Sequence, residues 1–200
     1  MTKRLRVGVL FGGRSVEHEI SVITALQLMS AIDPARYEVT PVYVAPDGRW
    51  FTGAQLLERA FYRGVPQCLG TLTEVTLLPK PGVGGLVTLH NTSSETKRTP
   101  ATSGNTIPID VFMPVFHGQF GEDGCVQGLF EMAQVPYTGS NVPASAITMN
   151  KYLCKMYLKM HDIPVLPALR VSRRQALQDL TSVNAWVQVS EYLGLRTVAT

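Results

Sequence analysis

The sequence predicts an α/β fold built on a parallel sheet with helices on both faces. Short apolar runs at 5–11 and 109–116 lead straight into Gly12-Gly13 and His117-Gly118, the composition of strands buried on both faces. Between and after them the hydrophobic period switches to that of a helix. Strand and helix patterns then alternate through the first 145 residues, an order that yields parallel strands joined by crossover helices. Ligands of such sheets sit at the carboxyl ends of the strands, and both glycine-terminated ends here carry unusual polar residues.

In order along the chain, "LRVGVLF" (5–11) reads as the first buried strand. Over 15–32, Val16, Ile20, Ile23, Leu26 and Met29 fall at helical spacing, with Ser15 as N-cap and "DP" at 33–34 as the stop. "YEVTPVYVA" (37–45) is the next strand, and the turn signal and aromatic pair in "PDGRWFTG" (46–53) predict a short extra hairpin. A short helix follows over 53–61. In 63–106, "VTLLP" and "LVTLH" read as short strands and "NTSSETKRTPATSGNT" as a polar loop. "IDVFMPVFHG" (109–118) is a strong buried strand. Val126, Leu129, Phe130 and Ala133 mark a helix over 122–134. "VPYTGS" reads as a strand end and turn, 142–162 as one or two helices stopped by Pro164, and 165–172 as a strand. "RRQALQDL" and "VNAWVQVSEYLG" read as helices.

With 200 residues and 45% hydrophobic content, the chain can build one sizeable core, or one domain and the beginning of another. At 16% charged residues it does not have a disordered composition. The net charge of +3 is small and no Lys/Arg run forms a basic stripe, so no nucleic-acid partner is expected. No apolar stretch has the length of a membrane span, and the N-terminal run is too short for a signal peptide. Cys68, Cys125 and Cys154 form no metal-spaced pair and are expected as free thiols. Among His18, His90, His117 and His161, only His117 lies in a stretch that invites a functional reading.

The glycine turns invite a phosphate, yet there is no GxxxxGK[ST] and no GxGxxG opening a helix, which argues against a classical nucleotide site. In "LFGGRSVEHEIS" (10–21), Glu17 sits in the first helical turn. It either complements the helix dipole or faces a ligand cation, such as the ammonium of an amino acid whose other end is met by backbone N–H groups of the Gly12-Gly13 turn. Glu19 lies about 200° around the helix and cannot face the same ligand. In "HGQFGEDG" (117–124), Glu122 and Asp123 fit helix capping. His117, surrounded by glycines at a strand's carboxyl end, is either ligand-facing or a core histidine.

"LFGGRSVEHEIS", "PVFHGQFGEDGCVQGLFE", "VPYTGS" and "SAITMNK", in this order, resemble the D-alanine–D-alanine ligases of the ATP-grasp superfamily, over about residues 1–170. The resemblance implies a Rossmann-like pre-ATP-grasp domain over 1–145 and the beginning of an ATP-grasp domain over 146–200. It implies that Glu17 meets the ammonium of the first D-alanine, that His117 lines the same subsite with Gly12 and Gly13, and that Lys151 reaches an ATP phosphate. Position 150 is Asn where the family commonly has Asp, at a helix start. The implied reaction forms an acyl phosphate from ATP and the first D-alanine, which the amine of the second attacks. Magnesium or manganese bridges the phosphates, and the dipeptide enters peptidoglycan in a cytoplasmic pathway. A homodimer is also implied.

The family's ATP-binding strand lysine, phosphate-covering loop, acidic metal ligands and late arginine are not found in the 200 residues. Where the family has an apolar strand with a Val-x-Lys-Pro flavour, "SEYLG" is followed by "LRTVAT". The ATP and magnesium ligands are therefore expected beyond residue 200, with little ligase activity from this chain alone. A fragment of a longer ligase, a gene with a shifted end and a stand-alone amino-acid-binding or subunit-interaction module all stay open. So does a poorly folded domain with exposed apolar helix faces after 150.

Overall fold

The computed structural model describes residues 3–91, 98–100 and 106–170. Two compact units divide the chain, the first ending at Ala146 and the second beginning at Ile147. The first unit carries the sheet. Its strands are β1 (Leu5–Gly12), β2 (Tyr37–Val44), β3 (Trp50–Thr52), β4 (Thr73–Thr76), β5 (Gly85–Asn91), β6 (Arg98–Pro100), β7 (Thr106–Pro108) and β8 (Val111–Pro114). Their order is β6-β5-β4-β3-β2-β1-β8, with β7 also paired to β5.

The α/β class holds, and the expected parallel strands form one side of the sheet. β1 pairs in parallel with β2 from Leu5↔Tyr37 to Gly12↔Val44, and with β8 from Val7↔Val111 to Leu10↔Pro114. From β2 outward the pairing turns antiparallel through β3, β4 and β5, so the whole sheet is mixed. The turn chemistry explains the change. Ala45 and Arg49 close a tight turn (Ala45 N–H to Arg49 O, 2.8 Å) that Asp47 braces by accepting from the Arg49 N–H. A parallel return needs a crossover of roughly a dozen residues, so a chain reversed this tightly comes back antiparallel.

Helices cover both faces. Helix α1 (His18–Ala31) packs Val22, Ala25 and Met29 against Val7, Val9, Phe11 and Tyr43. Helix α2 (Cys125–Ala133) packs Val126, Phe130 and Ala133 against Leu10, Val42 and Phe112. The α2 face is the expected one, with Gln127 buried in addition. The α1 face is not. Val16, Ile20 and Ile23 are exposed, while the buried residues are Ser21, Val22, Ala25 and Met29. Ser21 sets this rotation: its hydroxyl accepts from the Gly12 N–H (2.8 Å) and donates to Val115 O (2.6 Å), tying the helix to two strand ends. The satisfied polar anchor and the small Ala25 one turn later let α1 lie close to the sheet.

The helix expected over 53–61 is a series of 3-10 turns, Ala54–Leu57, Arg59–Gly64 and Gln67–Thr71, that buries Leu56 and Leu69. β4 and β5 stand near the two expected strands, and the expected polar loop contains β6 and ends where β7 begins. Its residues 92–97 and 101–105 lie outside the described ones. "VPYTGS" supplies a parallel bridge, Phe112↔Tyr137. The 142–162 stretch forms two helices, α3 (Val142–Met149) and α4 (Lys151–Met160). The strand expected over 165–172 is absent through residue 170: Pro164 and Pro167 lack N–H donors, and no described strand pairs with the segment. Residues 171–172 and the two helices expected after them lie outside the described residues. No described helix is long and apolar enough to cross a membrane.

Arg6 on β1 clamps Asp110 at the start of β8. Its N–H and Nε donate to Oδ2 (2.8 and 3.0 Å) while Nη2 donates to Oδ1. These bonds, the guanidinium's foremost, hold the Asp110 carboxyl well below the usual carboxylate range. A carboxylate depressed in the folded state stabilises it at pH values above the unfolded pKa, and that contribution fades as pH falls through the folded value. The melting temperature of the wild type should therefore exceed that of Asp110→Asn near neutrality, and the gap should narrow from about pH 4 downward. A gap independent of pH would contradict this assignment.

Candidate functional site

The site begins where β1 leaves the sheet. Gly12 and Gly13 have φ of +87° and +96°. A Cβ on Gly12 would stand 2.5 Å from the Val44 carbonyl oxygen, so both the conformation and the space demand glycine. The Gly13 N–H donates to that same oxygen (2.8 Å). The Gly13 carbonyl points back to α1 and accepts from His18 Nδ1 at 2.7 Å. With its proton on Nδ1, His18 accepts through Nε2 from the Tyr43 hydroxyl at 3.0 Å. Tyr43 is 1% exposed, and burial pushes its phenol up to about 12, which keeps it a donor. His18 thus locks the glycine turn, a role its sequence neighbourhood did not single out. Its one local signal is that it opens α1 five residues after Gly13.

The strand expected over 109–118 is β8, which stops at Pro114, where proline has no N–H to continue the ladder, and the loop after it supplies the opposite wall. Gly118 has φ of +79°, and a Cβ there would lie 2.5 Å from Glu17 Oε2 and 2.8 Å from Ser15 Oγ. The Glu17 carboxylate therefore rests directly on the Gly118 backbone. A second carboxylate, Glu122, accepts the Gly118 N–H at 2.6 Å. His117 meets Thr24, with Nε2 and Oγ1 3.2 Å apart. Because the Thr24 hydroxyl already donates to Ile20 O (2.9 Å), His117 Nε2 must be the donor, which leaves Nδ1 for another partner. Gly12, Gly13, Glu17 and His117 are thereby gathered around the ends of two adjacent parallel strands, the usual ligand position of such sheets.

Several smaller expectations resolve here. Glu17, not Ser15, occupies the N-cap position of α1, and no side chain caps that helix. Ser15 acts one turn earlier, accepting the Glu17 N–H through Oγ (2.9 Å) and the His18 N–H through its carbonyl (3.2 Å). Asp123 is structural: it accepts from the Phe120 and Cys125 N–H groups, which outweigh the upward push of burial and hold its carboxyl below the usual range. Gln127 donates to Gly121 O (2.9 Å), while its Oε1 is buried with no partner among the described residues. The three cysteines are free.

Lys151 belongs to the second unit. It is exposed at the first position of α4, where Asn150 caps the helix by accepting the Tyr152 and Leu153 N–H groups, each at 3.1 Å. Asparagine thus makes the helix-start bonds itself. An exposed ammonium at the positive end of a helix fits a phosphate. Among the described residues no three His, Cys, Asp or Glu side chains come together to hold a metal ion.

The family model described as D-ala D-ala ligase N-terminus matches residues 6–140, which include Gly12, Gly13, Glu17 and His117. The chain belongs to the D-alanine–D-alanine ligase family. A D-alanine–D-alanine ligase from Geobacillus kaustophilus is 40% identical over 152 residues, 76% of this chain and 38% of that protein. The ligase from Thermosipho africanus is 36% identical over 188 residues, 94% of this chain and 47% of that one. Among solved structures, the ligase from Coxiella burnetii superposes with a TM-score of 0.74 at 28% identity, covering 96% of this chain and 50% of that chain. The chain thus spans less than half the length of these curated family members. Lys151 lies beyond the family-model match but inside the longer pairwise one.

Proposed function

We propose that this chain is the first-substrate half of an ATP-dependent ligase that joins two D-alanines. The observation that carries the reading is the pair of wall residues, Glu17 resting on Gly118 and His117 with Nδ1 uncommitted, around the Gly12-Gly13 turn. Two carboxylates, Glu17 and Glu122, flank Gly118 and make this corner repel phosphate and attract an ammonium. Glu17 would hold the ammonium of the first D-alanine, and His117 Nδ1 would face the rest of that substrate. The substrate carboxylate would then attack the γ-phosphorus of ATP, breaking its bond to ADP, which leaves, and forming an acyl phosphate. The amine of the second D-alanine would attack its carbonyl carbon and expel phosphate. Lys151 and the start of α4 would bind a phosphate of ATP. The described residues do not form a magnesium site.

On this reading 146–200 is the beginning of an ATP-grasp domain, the product feeds peptidoglycan synthesis in the cytoplasm, and the working form is a homodimer. A second reading follows from the same geometry. The Glu17–His117 corner lies wholly in the first unit, so it could serve a non-catalytic amino-acid-binding module. The test is D-alanine-dependent release of phosphate from ATP by the gene product purified from its own cells, with its intact mass measured in the same preparation. Release by a protein much heavier than 21.9 kDa supports the ligase reading, and no release by that heavier protein overturns it. The 200-residue chain by itself is expected to release none. D-alanine binding without turnover, in a protein of 21.9 kDa, favours the module.

A further inference from the structure

On the side of α1 opposite Glu17, Ser21 and Thr24, a cavity of about 660 Å³ opens between the helix and the 3-10 turns. Its volume falls in the range of small-molecule sites. The well is apolar, formed by Val22, Leu26, Tyr43, Tyr62, Val65 and Leu69. The two tyrosines stand edge to face, ring centroids 5.9 Å apart, and their hydroxyls are turned into the protein: Tyr43 to His18 Nε2 and Tyr62 to Leu56 O (2.7 Å). The rim is charged. Arg49 is held by Asp47 (2.7 Å), while Arg59 and Arg63 enter none of the described ion pairs. Glu19 is the other acid at the rim, so three arginines face two carboxylates and one positive charge is in excess.

We propose that this cavity is a second binding site, for a small amphipathic anion: a flat apolar body with one carboxylate, sulfonate or phosphate group. The body would lie on Val22, Leu69 and the two tyrosine rings, and the anionic group would reach Arg59 and Arg63. Tyr43 and His18 form its inner wall, and His18 also holds the Gly13 carbonyl. An occupant would therefore press on the residue that locks the Glu17 turn. This site is separate from the amino-acid corner, and its test uses neither D-alanine nor ATP.

The probe is 8-anilinonaphthalene-1-sulfonate, titrated into the 200-residue chain by fluorescence and by amide chemical-shift mapping. Saturation at one probe per chain is expected, with shifts centred on Val22, Val65 and Leu69. Arg59→Ala combined with Arg63→Ala, both at exposed positions, should weaken binding about tenfold, the loss of one charge-assisted contact. The neutral analogue N-phenyl-1-naphthylamine should bind about tenfold more weakly than the sulfonate. Leu26→Trp, confirmed as folded by circular dichroism, should fill the well and abolish binding. The proposal is overturned if probes bind in multiple copies without shifts at these residues, or if the arginine variant and the neutral analogue bind as well as wild type and sulfonate. Light scattering that shows a second copy of the chain covering the cavity and excluding the probe would overturn it too.

Discussion

Glu17→Ala is expected to weaken binding of D-alanine to this chain by about 10- to 100-fold, the loss of one hydrogen bond to a charged partner. The reasoning runs from the backbone outward. Gly12 must be glycine because a side chain would strike the Val44 carbonyl, and the resulting turn starts α1 so that Glu17 falls at its N-cap. The absence of a Cβ on Gly118 then lets the carboxylate lie against the loop that follows β8. Glu17→Gln keeps the shape and removes the charge, so it should lose most of the same affinity, whereas Glu19→Ala, on the other flank, should lose almost none. Calorimetric titration of the three variants checks this. Equal affinities for wild type and Glu17→Ala would remove Glu17 from the subsite.

Phe112→Ala should cost about 3–5 kcal/mol of stability, measured as a shift of the urea unfolding midpoint. Phe112 is fully buried on β8, the last strand of the sheet order, and stacks on Phe130 of α2, with ring centroids 5.1 Å apart and planes 15° from parallel. Phe130 in turn meets Tyr137, whose segment bridges to Phe112 through the backbone. Removing the central ring leaves a cavity bordered by a strand, a helix and a loop that cannot all collapse into it. For a domain whose whole stability is about 5–15 kcal/mol, such a loss is severe. A cost under about 1 kcal/mol would show that this face of the sheet is not a close-packed core.

The parts of the fold that could be read from sequence were those written in local patterns. The strand end at Gly12 was visible because an apolar run stops there at a glycine, and α2 because its apolar residues share one face; the run read as a strand to Gly118 leaves the sheet at Pro114. The antiparallel half of the sheet was legible only as the short hairpin over 46–53; the pairing of β4 and β5 beyond it depends on tertiary contacts that no local pattern records. The rotation of α1 was not legible. Hydrophobic periodicity favoured Ile20 and Ile23, but the helix is oriented by a serine whose partners, Gly12 and Val115, are set by tertiary packing. His18 was hidden for the same reason: Tyr43 comes to it only when β2 lies beside β1. At the site, Glu17 and His117 stood out as odd polar residues at strand ends. Their shared neighbour Gly118 became meaningful only when its missing Cβ was seen to make room for the carboxylate.

The central claim is that the ends of β1 and β8 form an amino-acid subsite. The most direct measurement is an amide chemical-shift titration of the isotopically labelled chain with D-alanine. Saturable shifts of Gly12, Gly13 and Gly118, absent in Glu17→Ala, are the predicted result. No shift at these glycines up to millimolar D-alanine, or the same shifts in Glu17→Ala, would contradict it.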